Sequence, residues 1–323
     1  MITRRQMLVA VSVLGLLSSA RHAQAETVIR VATLKSGTVA WELDTIIHHG
    51  LDTRYGIKLE VIPVAGKQSA DVMLAGGEAD VIVTDWLWVS RQRHLGADYT
   101  FIPYSRQVGS VLVPPESPLK TLMDLKGKRI GVAGGPTDKS WILLCALAKK
   151  EMNIDLKRES EPVFGAPPLL NELFLKNKID ALLTYWNFAA RLKSSGARDL
   201  LSIGTIAQSL GLDSDTPLLG YVFSQSWSKA HDDAAQKLAA ASADAKQRLA
   251  HDDDEWLRLR PLMNANDDQE FEVLKAGFRA GIPSPNAIDR AAALRLFNIV
   301  TEFGEDNLMS DNLTLAPGIF AND

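Results

Sequence analysis

The chain has 323 residues, 46% of them apolar, 23% charged, a formal net charge of −4 and one cysteine. This composition is that of a globular protein with one large or two medium domains. The mild acidity and the lack of a basic cluster exclude a nucleic-acid binder or a protein held on anionic membrane. A single cysteine excludes a disulfide framework within the chain.

The first 25 residues read as an export leader. Arg4-Arg5 precedes the apolar run Met7 to Leu17, and small residues follow, ending in Ala23-Gln24-Ala25. These are the three regions of a cleaved secretory signal, and the run is about half the length of a membrane span. "TRRQML" also has part of a twin-arginine signal, so two export routes stay open. Cleavage is expected after Ala25, leaving a soluble periplasmic chain that begins at Glu26. No cysteine follows the cleavage site, so no lipid anchor is expected. The leader holds three arginines and no acid, so the mature chain carries −7.

Past the leader, strands and helices alternate as in a parallel α/β sheet. "VIRVATL" is the first strand, and it ends in the polar loop Lys35-Ser36-Gly37-Thr38. A helix follows through Trp41 to Tyr55, then the strand "KLEVIPV" and the helix "AGKQSADVMLAGG" between glycines. The next strand, Val81-Ile82-Val83, stops at Thr84-Asp85-Trp86. "VGSVLVPPESPLK" then reads as a crossing segment, since Pro114, Pro115 and Pro118 end a strand inside a sheet. Thereafter the alternation restarts, with the strand "KRIGVAG", the loop "GPTDKS", two helices and the strand "KIDALLTYW". "TPLLGYVF" is the return crossing, and from Lys229 onward the pattern is helical. The acidic run at Asp252 to Glu255 fits a solvated helix N-terminus, which favours carboxylates. "GVAGG" lacks the spacing of a dinucleotide fingerprint.

Two stretches match each other in chemical type. Asp80-Val-Ile-Val-Thr84-Asp85-Trp86 parallels Asp180-Ala-Leu-Leu-Thr184-Tyr185-Trp186. A looser match relates the loop before Trp41 to that before Trp141. A shape used twice implies two similar lobes: residues 26–112 with 221–323, and residues 113–220. The crossings are expected at Val111 to Pro114 and Leu219 to Tyr221.

The leader, "YGIKLEVIPVAGKQSADVMLAGGEADVIVTD", "SPLKTLMDLKGKRIGVAGG" and "LNELFLKNKIDALLTYWNFAARL" together resemble the periplasmic solute-binding proteins of ABC importers in the nitrate, sulfonate and taurine group. The pyrimidine-precursor binders of thiamin uptake are relatives of that group. The resemblance covers nearly the whole mature chain. It implies the type II periplasmic binding protein fold, two α/β lobes joined by two crossing strands, with a small-molecule solute in the cleft. The implied partner is an ABC permease and ATPase complex at the inner membrane. A monomer is expected, with no cofactor and no metal.

Ligands of open α/β sheets lie beyond the carboxyl ends of the strands. The candidate binding residues are therefore Thr84, Asp85 and Trp86 on one lobe and Thr184, Tyr185 and Trp186 on the other. Trp86 and Trp186 are expected on opposite walls, although strand-end aromatics also serve as core packing. Asp85 could equally cap the helix that follows it. Lys35, Ser36, Thr38 and Trp41, with Gly135, Thr137 and Asp138, belong to two loops that precede helices. Free N–H groups there favour an anionic group. The expected solute is a small organic molecule, a sulfonate, an amine or a nitrogen heterocycle; acids beside aromatics favour an amine, a zwitterion or a nitrogen heterocycle over an inorganic ion. Cys145 and the histidines do not assemble into a catalytic set, so no enzyme is expected. A periplasmic sensor would use the same cleft and stays open as an alternative.

Overall fold

The computed structural model describes residues 26–212, 216–284, 288–303 and 314–321. The expected export leader, residues 1–25, lies outside the described residues. Two five-stranded sheets form, one per lobe. The first has the order β2-β1-β3-β10-β4, with β1 at Thr27–Leu34, β2 at Ile57–Val64, β3 at Val81–Asp85, β4 at Tyr99–Ser105 and β10 at Leu219–Ser224. The second has the order β7-β6-β8-β5-β9, with β5 at Gly109–Val113, β6 at Arg129–Ala133, β7 at Glu161–Gly165, β8 at Ala181–Tyr185 and β9 at Arg198–Ser202. Three strands of each sheet pair in parallel, and one strand arriving from the other lobe is inserted antiparallel to its neighbours.

The strand sequences account for this burial. In β1, Ile29 and Val31 enter one apolar cluster while Ala32 enters another, so the strand is covered on both faces. The same holds in β3 for Val81 and Ile82. Helices Val39–His48, Lys67–Ala75 and Trp86–His94 connect the first-lobe strands. Helices Lys139–Met152, Pro167–Leu175 and Trp186–Ser194 hold the corresponding places in the second lobe.

The matched aspartates do the same work in both lobes. Asp80 accepts from Arg30 N at 2.8 Å, Nε at 3.0 Å and Nη2 at 2.6 Å. Asp180 accepts from Arg129 N at 2.8 Å and Nη2 at 3.1 Å. Each pair ties the start of one strand to the approach of its neighbour, at the ends of the sheets remote from Thr84 and Thr184.

The first crossing falls at residues 106–108, between β4 and β5, ahead of the expected 111–114. Val111 to Val113 are already paired with β8 and β9 of the second lobe. The inserted strands need glycine. A Cβ at Gly109 would lie 2.0 Å from the Thr184 carbonyl oxygen, and one at Gly220 2.3 Å from the Phe101 ring. The return crossing falls between helix Ile203–Ser209 and Leu219, since β10 belongs to the first sheet.

The C-terminal region departs from the expected division. Helix Arg290–Phe303 packs on helix Lys139–Met152 of the second lobe, and its Ala292, Ala293, Leu296 and Phe297 are fully buried. Residues 314–321 then lie on the first lobe, where Phe320 bridges Phe101 and the Ile319 carbonyl accepts from Phe101 N at 2.7 Å. An amphipathic helix carries a face to bury but not the identity of the lobe that buries it.

Candidate functional site

The lobes meet over a cleft of about 810 Å³, its open mouth counted. The ends of β1 and β3 reach it with Thr33, Leu34, Val83 and Thr84, and the first turn of helix Val39–His48 with Thr38. Lys67 comes from the start of helix Lys67–Ala75. The second lobe supplies Asp138 and Lys139 at the start of helix Lys139–Met152, and Tyr185, Trp186 and Asn187 after β8. Tyr104, Val108 and Leu219 lie between them.

Of the residues singled out in the sequence, Thr38, Thr84, Asp138, Tyr185 and Trp186 share this lining. Trp86 does not. It is fully buried in the first-lobe core, 6.1 Å from Phe320. Phe320 of the C-terminal segment packs against the indole, and the expected pair of facing tryptophans is absent. Trp41 is also core, packed edge-on to Trp256 at 6.1 Å; Trp186 and Phe278 lie at the same distance. Asp85 is 1% exposed and caps helix Trp86–His94, accepting from Trp88 N at 2.8 Å. Thr184 is buried at the end of β8. Lys35, Ser36 and Thr137 are exposed loop residues. The Ser36 carbonyl accepts from Asn187 Nδ2 at 3.0 Å, a bond between lobes. Gly135 lies against Gln68 of the facing lobe.

The sequence reading passed over Lys67, Lys139 and Asn187. A signal for the lysines exists. Both stand at the first residue of a helix, where the helix dipole disfavours a cation. Lys67 is offset by Asp71 at 2.9 Å. Lys139 is 4% exposed, and among the described residues nothing accepts a hydrogen bond from its ammonium group. Its charge acts on Asp85. Burial pushes the Asp85 carboxyl up, but Lys139, Lys67, Arg91 and the Trp88 N–H together hold it below the usual carboxylate range. Asp85 is thus held in its ionised form beneath the helix it caps.

Asp138 caps its helix through Oδ1, which accepts from Ser140 N at 2.9 Å. Its Oδ2 is buried without a hydrogen-bond partner, as is Thr84 Oγ1. Burial raises the Tyr185 hydroxyl far above its ordinary value, and the charges of Asp138, Asp71 and Asp85 add to this. The phenol therefore stays protonated and available as a donor. The charged groups in the lining are Lys67, Lys139 and Asp138; Asp71, Asp85 and Arg91 lie outside the lining and interact with them or with one another. The site can accept hydrogen bonds at Asp138, donate them from Lys139, Tyr185 and Thr84, and hold an apolar or planar group against Trp186.

The NMT1/THI5 like family profile matches residues 48–255, well over half the chain and both sides of the cleft. The chain belongs to the NMT1/THI5-like family. No curated protein matches it in sequence. It is similar in structure to the alkanesulfonate-binding protein SsuA from Xanthomonas axonopodis pv. citri bound to MOPS, with 19% identity, TM-score 0.70, and 91% of this chain and 98% of that one covered. It is similar also to the periplasmic aliphatic sulphonate binding protein SsuA from Escherichia coli, at 18% identity, TM-score 0.66, and coverage of 85% and 86%. The desulfurization enzyme DSZB has the fold as well, at 15% identity, TM-score 0.56, and coverage of 86% and 91%. At these identities the likeness is one of fold: the NMT1/THI5-like chain has the two-lobed architecture of periplasmic binding proteins.

Proposed function

We propose that this NMT1/THI5-like chain is exported to the periplasm and binds a small organic solute between its lobes for delivery to an ABC permease and ATPase complex. One observation carries the reading. The cleft joins strand ends and first helical turns from both lobes, and two of its polar atoms, Asp138 Oδ2 and Thr84 Oγ1, are buried without a hydrogen-bond partner among the described residues. Buried polar groups without partners are costly unless a ligand or water satisfies them. Contacts made to both walls at once favour the closed over the open arrangement, and the closed form is what a permease would recognise. With the charges just outside the lining (Asp71, Asp85 and Arg91) counted beside Lys67, Lys139 and Asp138, three acids stand against three cations, which favours a solute without net charge, a zwitterion or a nitrogen heterocycle, over a bare anion.

The enzyme with this fold suggests a second reading, which the positions of the nucleophiles and bases do not support. Cys145 is buried in the second-lobe core. His48, His49, His94, His231 and His251 all lie outside the cleft lining. A sensor would bind in the same cleft and differ only in its membrane partner.

A thermal-shift screen of the processed protein against sulfonates, amines, amino acids, pyrimidines and nitrate tests the reading. A solute that binds the folded state raises the melting temperature by mass action. A neutral or zwitterionic hit supports the charge argument. A shift with nitrate or a simple alkanesulfonate alone overturns that argument and keeps the binding role. No shift with any class counts against solute binding.

A further inference from the structure

The helix that lines the cleft also grips the opposite lobe outside it. Trp186 and Asn187 open helix Trp186–Ser194. One turn on, and on the same face as Asn187, stands Arg191. Its guanidinium donates to the Met263 carbonyl at 2.6 Å and the Asn264 carbonyl at 3.0 Å, and pairs with the Glu270 carboxylate. All three partners belong to the first lobe. Met263 ends helix Asp253–Met263 and Asn264 is its left-handed C-cap, with φ at 50°. Carbonyls at a helix C-terminus lack intrahelical donors and favour a cation. Glu270 is 3% exposed, so a partner for its carboxylate matters.

Packing repeats this complementarity. Ala190 of the second lobe is 6% exposed and lies within the first-lobe apolar cluster, which also contains Leu274 and Phe278. Trp186 lies against Gly277 of helix Asp268–Gly281, where a Cβ would come 2.6 Å from the ring. None of Arg191, Met263, Asn264, Glu270 and Gly277 lines the cleft. These contacts exist only when the lobes are closed, and no solute takes part in them.

We propose that Arg191 is a latch that holds the lobes closed without solute, so that this contact sets how much of the empty protein is in the binding-competent form. Apparent affinity scales with the competent fraction. The latch and the cleft residues Trp186 and Asn187 ride on one rigid helix, which couples the two. Removing Arg191 disfavours closure twice: the helix-end carbonyls lose their donor, and closure then buries the Glu270 carboxylate without its cation, with Asn266 still donating to it.

The test measures lobe separation with no solute present, so its failure leaves the solute-binding reading standing. Spin labels are placed on the full mature chain at Val72→Cys and Leu169→Cys, one exposed site per lobe; buried Cys145 is left unchanged. Distances are read by double electron–electron resonance. The expected result is a substantial short-distance population in the parent protein, mostly lost in Arg191→Ala and partly kept in Arg191→Lys. Gly277→Ala adds only a methyl group, which is compatible with a helix, and should lose the same population by wedging against Trp186. It serves as the second variant should Arg191→Ala fold poorly. An unchanged distribution in both variants, or a parent protein that is wholly open without solute, overturns the proposal.

Discussion

Trp86 and Trp186 occupy matching places in two matching strands, and the structure assigns them opposite roles. Trp86 is fully buried, so Trp86→Ala should cost about 3–5 kcal/mol, the usual range for removing a large buried aromatic. Its Nε1–H is buried without a partner. Trp86→Phe keeps most of the packing and removes that unsatisfied donor, so a net change within about 1 kcal/mol is expected. Trp186 is half-buried on the cleft. Trp186→Ala should cost less in stability, about 1–3 kcal/mol from lost apolar burial, and should weaken solute binding. Urea unfolding followed by circular dichroism gives the stabilities. Calorimetry with a solute from the screen gives the affinities, with Trp86→Phe serving as the folded control. Parent affinity in Trp186→Ala together with weakened affinity in Trp86→Phe would refute the assignment, since the indole in the cleft would then be the wrong one.

Three further outcomes are expected. Lys139→Met should weaken solute binding and let the Asp85 carboxyl rise, because the cation that does most to hold it down is gone; calorimetry as a function of pH reads both. Glu255 is pushed up by burial but held at about 2 by Arg258, His49 and Thr45, below its ordinary 4.5. Its folded value lies below the unfolded one, so its stabilisation is present above pH 4.5 and fades as pH falls toward 2. Glu255→Gln should flatten that acid limb in urea unfolding, and an unchanged limb would contradict the assignment. Asp80→Asn should cost about 1–3 kcal/mol, since Asp80 is buried under Arg30. Asp180→Asn should cost less, its side chain being 35% exposed; parallel urea curves compare the two.

The matched stretches ending at Trp86 and Trp186 carried the two-lobed plan legibly, because a strand buried on both faces has a recognisable apolar run and both copies keep it. Asp80 and Asp180 were visible as a repeat, but their arginines were not, because Arg30 and Arg129 are distant in sequence and meet them only through strand pairing. Trp86 was misread for a related reason. Part of its cover comes from Phe320, more than two hundred positions away, and nothing in the strand itself reports that cover. The lodging of helix Arg290–Phe303 on the second lobe is likewise a property of the face it meets. Lys67 and Lys139 were readable in principle, since a lysine that opens a helix works against the helix dipole and asks for an explanation. The latch at Arg191 was not readable, because its acceptors are mostly backbone carbonyls.

The central claim is that one solute is held by both lobes at once, and a crystal structure of the processed protein with a solute from the thermal-shift screen tests it most directly. The account predicts solute density between the lobes, in contact with Lys139 and Trp186 on one side and Thr84 on the other, and a hydrogen bond to Asp138 Oδ2. Solute bound outside the cleft, or touching residues of one lobe only, would contradict it.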